Sequence, residues 1–229
     1  MNELALFAGA GGGILGGHLL GWRTVCAVEN DPYAASVLVA RQNDGILPPF
    51  PIWDDVCTFD GRPWRGIVDV VSGGFPCQAF SSAARGRNTA PNLWPQMLRV
   101  IGEVCPKNVF AENVSEDAII EAQADLARAG YQTVRGLVGA GDVGADHPRE
   151  RWWLAANANH EGKLGGSVDA EMAKLKACGK GVWQAEPECT RIPYGTAGRL
   201  DRFTCIGNAQ VPIVAALAWE ILTEGGDDE

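Results

Sequence analysis

A strand that ends in a run of glycines constrains this chain more than any other feature. Glu3-Leu4-Ala5-Leu6-Phe7 reads as a strand, Ala8-Gly9-Ala10-Gly11-Gly12-Gly13 follows, and a helical pattern continues to Leu20. Glycines there allow a tight turn, and a helix that starts directly after them presents free backbone N–H groups to a nucleotide. The spacing is not G-x-G-x-x-G, because Ile14 stands at the last position, so a dinucleotide does not follow from it. Val25-Cys26-Ala27-Val28 is the second strand and runs into Glu29-Asn30-Asp31. An acid about 20 residues past the glycines is placed to accept hydrogen bonds from a ribose. Asp31-Pro32 opens a helix with proline at its first position, so Asp31 serves as a cap and Glu29 is the better ligand.

The rest of the chain keeps alternating. After the connector Pro48-Pro49-Phe50-Pro51, the segment Trp53-Asp54-Asp55-Val56 ends a short third strand and puts Asp55 at the carboxyl edge of a sheet. Ile67-Val68-Asp69-Val70-Val71 is the fourth strand and leads through Gly73-Gly74 into Phe75-Pro76-Cys77-Gln78-Ala79-Phe80-Ser81-Ser82. A cysteine is more often a small buried hydrophobe than a reactive group. Cys77 instead stands in a Gly/Pro/Ser loop past a strand end, where open α/β sheets bind ligands, and chemistry is expected of it. Leu93 to Val104 has helical spacing, and Lys107 to Ala111 is a strand ending in Glu112-Asn113-Val114. Ser115 to Ala129 is a helix closed by Gly130, and Tyr131 to Val138 is a strand. His147-Pro148-Arg149-Glu150-Arg151 precedes the strand Trp152 to Ala156, and Pro212 opens an apolar helix to Leu222. This alternation implies an α/β fold, a Rossmann-like doubly wound and mostly parallel sheet. Residues 1–156 and 199–224 are expected to form the main domain, 157–198 a short irregular insert, and 225–229 an acidic tail.

The chain has 229 residues, 46% of them apolar, enough for one sizeable core. No apolar run reaches the length of a membrane span and Met1 to Leu6 carries no signal-peptide pattern, so a cytoplasmic protein is expected. Seven cysteines form no C-x-x-C pair and are expected to be reduced thiols. His160, Cys178 and Cys189 lack paired ligand spacing, so no metal is expected. A net charge of −9 runs against nucleic-acid binding, although the tail contributes part of it and the arginines occur in local pairs at 85/87, 149/151 and 199/202.

Taken in order, these pieces resemble the C5-cytosine DNA methyltransferase family, in its compact phage- or mobile-element-like form. Leu6 to Gly12 is similar to the family's cofactor loop, Glu29-Asn30-Asp31 and Asp55 to its next ligand segments, and Phe75 to Ser81 to its nucleophile loop. Glu112-Asn113-Val114, Arg149-Glu150-Arg151 and Gly207-Asn208-Ala209 resemble its E-N-V, R-x-R and closing motifs. The resemblance implies methyl transfer from S-adenosylmethionine to C5 of a cytosine flipped out of double-stranded DNA. Its catalytic residues would be Cys77 as nucleophile and Glu112 as acid, with Arg149 and Arg151 in support. Cofactor contacts would come from Phe7, Ala8, Gly9, Gly11, Gly12, Glu29, Asn30, Asp55, Val56, Pro76, Asn208 and Ala209. Substrate contacts would come from Gln78, Ser81, Arg85, Arg87, Asn113 and Val114.

The resemblance leaves two rivals open: a tRNA cytosine-5 methyltransferase with the same catalytic set, and a catalytically silent DNA-binding relative. A nicotinamide-dependent oxidoreductase fails on the glycine spacing and gives Cys77 no role. In this family the segment before the closing motif carries target recognition, and here it is very short. Its Lys163, Lys174, Lys176, Lys180 and Arg191 are balanced by Glu161, Asp169, Glu171, Glu186 and Glu188. A target of about two to four base pairs is therefore expected, with a cognate restriction endonuclease or a separate recognition protein as a further partner.

Overall fold

Seven strands form one sheet in the computed structural model, which describes residues 1–76, 92–158 and 209–223. In chain order the elements are β1 (Asn2–Leu6), α1 (Gly12–Leu19), β2 (Arg23–Val28), α2 (Pro32–Asn43), β3 (Ile52–Trp53) and β4 (Val70–Gly74). They continue with α3 (Trp94–Val104), β5 (Asn108–Asn113), α4 (Glu116–Arg128), β6 (Gln132–Val138), β7 (Arg151–Asn157) and α5 (Pro212–Thr223). The spatial order is β3-β2-β1-β4-β5-β7-β6. β1 pairs in parallel with β2 and β4, β2 with β3, and β4 with β5, whereas β7 runs antiparallel to both β5 and β6.

Successive strand residues point to opposite faces, and both faces are covered. Leu4, Leu6, Val71 and Val109 pack with Trp94, Met97 and Ile101 of α3 and Ile119 and Leu126 of α4. On the other face Ala5 and Ala27 meet Ile14 of α1 and Leu38 of α2, while Val70, Phe110 and Trp153 meet Val214, Leu217 and Leu222 of α5. The central strands read as nearly continuous apolar runs for this reason. Trp219 of α5 sits edge-on to Trp22 at 4.8 Å and to Phe110 of β5 at 5.4 Å, which locks α5 to the sheet.

Helix ends follow their local signals. Asp31 Oδ1 accepts from the Tyr33 and Ala34 N–H groups at 2.8 and 3.3 Å, with Pro32 at the first helical position. Ser115 caps α4, and Gly130 at φ +91° ends it.

At the carboxyl edge of the sheet, three strand ends shift from expectation by two residues or more. β4 spans Val70–Gly74 rather than residues 67–71. The Ile67 and Val68 N–H groups instead bond back to the Trp64 carbonyl at 3.0 and 3.1 Å, and Ile67 is 51% exposed. Gly73 and Gly74 therefore belong to the strand, not to a loop. β3 stops at Trp53, because Asp55 begins a turn: its Oδ1 accepts from the Cys57 N–H at 2.8 Å. β5 runs on through Glu112 and Asn113, which are held in the ladder opposite Trp153 and Trp152. Among the described residues, no helix is long and apolar enough to cross a membrane.

Candidate active site

Parallel pairing brings the carboxyl ends of β1 to β5 to one edge of the sheet. Strand order reverses between β1 and β4, and the crevice outside such a reversal is where open α/β sheets bind ligands. The glycine turn leaves β1 on one side of that crevice, and Phe75-Pro76 leaves β4 on the other. Because β7 runs backwards, its amino end reaches the same edge and delivers Arg149 and Arg151 there.

On the β1 side, Phe7, Gly9 and Gly11 all have positive φ, at 52°, 54° and 85°, so the chain coils tightly after the strand. Ala8 N–H donates to the Val28 carbonyl at 3.1 Å, and Gly11 N–H closes the turn onto the Ala8 carbonyl at 2.9 Å. Glu29 holds this turn from β2: Oε2 accepts from the Gly9 N–H at 2.6 Å and Oε1 from the Asp31 N–H at 2.7 Å. A carboxylate has about four acceptor sites, so each oxygen keeps one for a ribose hydroxyl. Asn30 Nδ2 donates to the Asp54 carbonyl at 3.1 Å and joins this corner to the Asp55 turn. Arg99 of α3 fixes that turn, donating to the Val56 carbonyl at 2.6 Å and the Phe59 carbonyl at 3.0 Å while pairing with Glu103 at 2.7 Å. An adenosine-bearing cofactor fits such a corner: a glycine turn, an acid with acceptor capacity, and the half-buried Phe7 ring beside them.

On the β5 side, Glu112 is 7% exposed. Arg151 Nε lies 3.1 Å from its Oε1, and Gln210 Nε2 donates to its Oε2 at 3.2 Å. The register explains the arginine: Trp153 stands opposite Glu112, and Arg151, two residues along on the same face, is its diagonal neighbour. Burial pushes the Glu112 carboxyl up, and the Gln210 bond and the Arg151 and Arg149 charges only partly offset this. Arg149, at φ 33°, donates to the Ala209 carbonyl. Asn113 ties β5 to the nucleophile segment, with Nδ2 donating to the Phe75 carbonyl at 2.8 Å and Oδ1 accepting from Ser115 N–H at 3.0 Å. The Pro76 carbonyl accepts from Leu93 N–H at 3.2 Å, which ties the end of β4 to the start of α3. Val114, the next residue after Asn113, is 56% exposed.

The crevice thus gathers Phe7, Ala8, Gly9, Gly11, Glu29 and Asn30 around one corner and Pro76, Glu112, Asn113, Arg149, Arg151 and Ala209 around another. Cys77, Gln78, Ser81, Arg85, Arg87 and Asn208, with the 159–198 portion of the insert, lie outside the described residues. A Cβ on Gly12 would collide with the Gln210 carbonyl, so the packing of the closing segment itself requires a glycine there. Arg99 and Gln210 were not singled out as site residues from sequence. Of these, Gln210 alone carried a signal, two residues past Asn208 in the closing segment.

A family model described as C-5 cytosine-specific DNA methylase matches residues 1–180. The chain is 41% identical over 118 residues to the Type II methyltransferase M.Eco47II of Escherichia coli, covering 48% of this chain and 26% of that protein. It is 32% identical over 167 residues to the Type II methyltransferase M.NgoMIV of Neisseria gonorrhoeae, covering 69% and 52%. Among solved structures, the S. pombe Dnmt2 methyltransferase shares the fold with a TM-score of 0.59 at 23% identity, over 83% of this chain and 57% of that one. The matched stretches span about a quarter to a half of these curated relatives.

Proposed function

This chain belongs to the C-5 cytosine-specific DNA methylase family, and from that premise we propose that it methylates cytosine at C5 in double-stranded DNA. One observation carries the reading to these residues. A buried carboxyl, Glu112, is held by Arg151 and Gln210 at the sheet edge, next to the strand whose extension is Phe75-Pro76-Cys77.

C5 of cytosine is a poor nucleophile, so electrons must be pushed into the ring. The Cys77 thiolate adds to C6, forming an S–C6 bond, and Glu112 donates its proton to N3, which absorbs the displaced electron pair. The ring is then enamine-like at C5, the carbon that takes the methyl group. Burial raises the Glu112 carboxyl above its ordinary range and so favours the protonated form, and Arg151 orients the carboxyl and stabilises the anion left after transfer. Removal of the C5 proton by a base, expulsion of the Cys77 thiolate and return of the N3 proton to the Glu112 carboxylate restore the neutral aromatic ring. When bound at the glycine turn, S-adenosylmethionine would supply the electrophilic methyl group and leave as S-adenosylhomocysteine. Phe7, Ala8, Gly9, Gly11, Gly12, Glu29, Asn30, Asp55, Val56, Pro76, Asn208 and Ala209 are the residues assigned to hold it.

The target carbon is inaccessible in a stacked duplex, so the base must be flipped into the crevice. Gln78, Ser81, Asn113 and Val114 are assigned to the base, and Arg85 and Arg87 to the flanking phosphates. Residues 157–198 are assigned to target recognition, and a cognate restriction endonuclease is the partner this reading implies.

Incubation with tritiated S-adenosylmethionine and matched DNA and RNA tests the proposal. Label in DNA is expected, together with a denaturation-resistant adduct on DNA containing 5-fluorocytosine, in which fluorine blocks the final proton loss. Cys77→Ala should abolish both while leaving cofactor binding intact. Label in RNA alone would reassign the substrate, and an adduct that survives Cys77→Ala would remove Cys77 as the nucleophile.

A further inference from the structure

Gln210 lies where three parts of the crevice meet. Its Nε2 donates to Glu112 Oε2 at 3.2 Å. Its Oε1 fills the space in which a side chain on Gly13 would stand, and its own carbonyl fills the corresponding space at Gly12. A Cβ on Gly74, at the end of β4, would lie 2.6 Å from Glu112 Oε2 and 3.0 Å from Gln210 Nε2. Absent side chains at three glycines thus make room for one glutamine. Its backbone is held as well, since Arg149 donates to the carbonyl of the preceding Ala209 and α5 begins two residues later. A surface glutamine samples many rotamers, whereas this one is wedged between the first turn of α1 and the acid on β5.

We propose that Gln210 is a positioning residue for Glu112, its amide seated against the glycine turn and fixing one carboxyl oxygen, while Arg151 fixes the other. Two donors on two oxygens set the plane of the carboxyl and leave one further position on each oxygen for the base. The inference rests on the reading of Glu112 as the proton donor to the cytosine ring. A donated N–H favours the ionised carboxylate, so Gln210 also works against burial and keeps the proton transferable. Among the described residues, the charged groups facing Glu112 are Arg151 on β7 and Arg149 in the turn before it, and β4 faces it with Gly74.

The test measures Glu112 directly. In full-length protein labelled with 13Cδ-glutamate, the Glu112 resonance is assigned by its loss in Glu112→Gln and titrated in wild type and in Gln210→Met, which keeps the length and removes the donor. The midpoint is expected to rise by about one to two pH units in Gln210→Met. The alkaline fall of the single-turnover methylation rate should move in the same direction, because activity requires protonated Glu112. Gln210→Asn, an amide one methylene too short to span the gap, should shift the midpoint the same way, and it decides the matter if circular dichroism shows Gln210→Met unfolded. An unchanged midpoint overturns the positioning role. A shifted midpoint in a chain that methylates no DNA leaves that role standing and overturns the proposed function instead.

Discussion

Glu29 and Glu3 are both acids on or just past neighbouring strands, and their surroundings give them opposite tasks. Glu29 is half-buried at the carboxyl edge and holds the glycine turn through Gly9. Replacing it with Ala removes a charge-assisted bond of about 1.5–3 kcal/mol, so S-adenosylmethionine affinity should fall roughly 10- to 100-fold in a calorimetric titration. Unchanged affinity would remove Glu29 from the cofactor site. Glu3 lies inside β1, 1% exposed, and accepts from the Ser72 hydroxyl at 2.6 Å and the Thr24 hydroxyl at 2.7 Å. Burial pushes its carboxyl from the ordinary 4.5 up to about 7, and the two hydroxyls offset only part of this. Between those values the folded chain keeps a proton that the unfolded chain has released. The contribution of Glu3 is therefore complete below pH 4.5 and is lost as the pH rises through about 7. The loss is on the order of 3 kcal/mol. Urea unfolding at pH 5 and pH 8 should show wild type losing about that much more stability than Glu3→Gln. An identical pH dependence in the two proteins would contradict the assignment. Sequence alone marked Glu29 by its distance from the glycines, but it could not distinguish a buried Glu3 from a charged residue at a strand end.

At the scale of elements, strands and helices were legible wherever a local chemical signal set the boundary. Asp31-Pro32 and Ser115 start helices, and Gly130 ends one. The boundary of β4 was not legible, because the apolar run at Ile67 is equally suited to a strand and to the turn that folds back on Trp64. Glycines divide in the same way between local and tertiary causes. Gly16 of α1 faces α5, where an added Cβ would lie 2.8 Å from both the Ala215 Cβ and the Pro212 carbonyl. Gly102 of α3 is exposed, with nothing within 4 Å of the corresponding position. Gly16→Ile should thus force α1 from α5 and cost about 1–3 kcal/mol or more. Gly102→Ala should stabilise the chain by about 0.5–1 kcal/mol, through helix propensity and a less flexible unfolded chain. Denaturant unfolding of the two variants checks both, and the same sign for both would refute the packing account.

At the scale of the molecule, the open question for the proposed activity is what reads the DNA. The insert carries five basic and five acidic side chains, so it gains little from neutralising phosphates. Each good bidentate base contact supplies only about 1–3 kcal/mol of discrimination, and a segment this short presents few of them. Methylome sequencing after expression should therefore reveal a short or degenerate site of roughly two to four base pairs, with phosphate grip drawn largely from arginines outside the insert. A strict site of six or more base pairs made by this chain alone would show that the insert reads far more than its size and charge allow.

The sequence by itself determined the alternation of elements, the mostly parallel α/β class and the order of the family's motifs, since each rests on residues close together in the chain. Hydrophobic period, capping residues and glycine turns act over a few residues and can be read there. What only the tertiary structure decided is which distant residues meet. β7 could have joined the sheet in either direction; its antiparallel insertion beside β5 is what sets Arg151 against Glu112. Gln210 is 98 residues from Glu112, and the two meet only because α5 packs on α1 through Gly16. Such contacts depend on strand direction, register and the space between packed helices, and these are settled only when the whole core is buried at once.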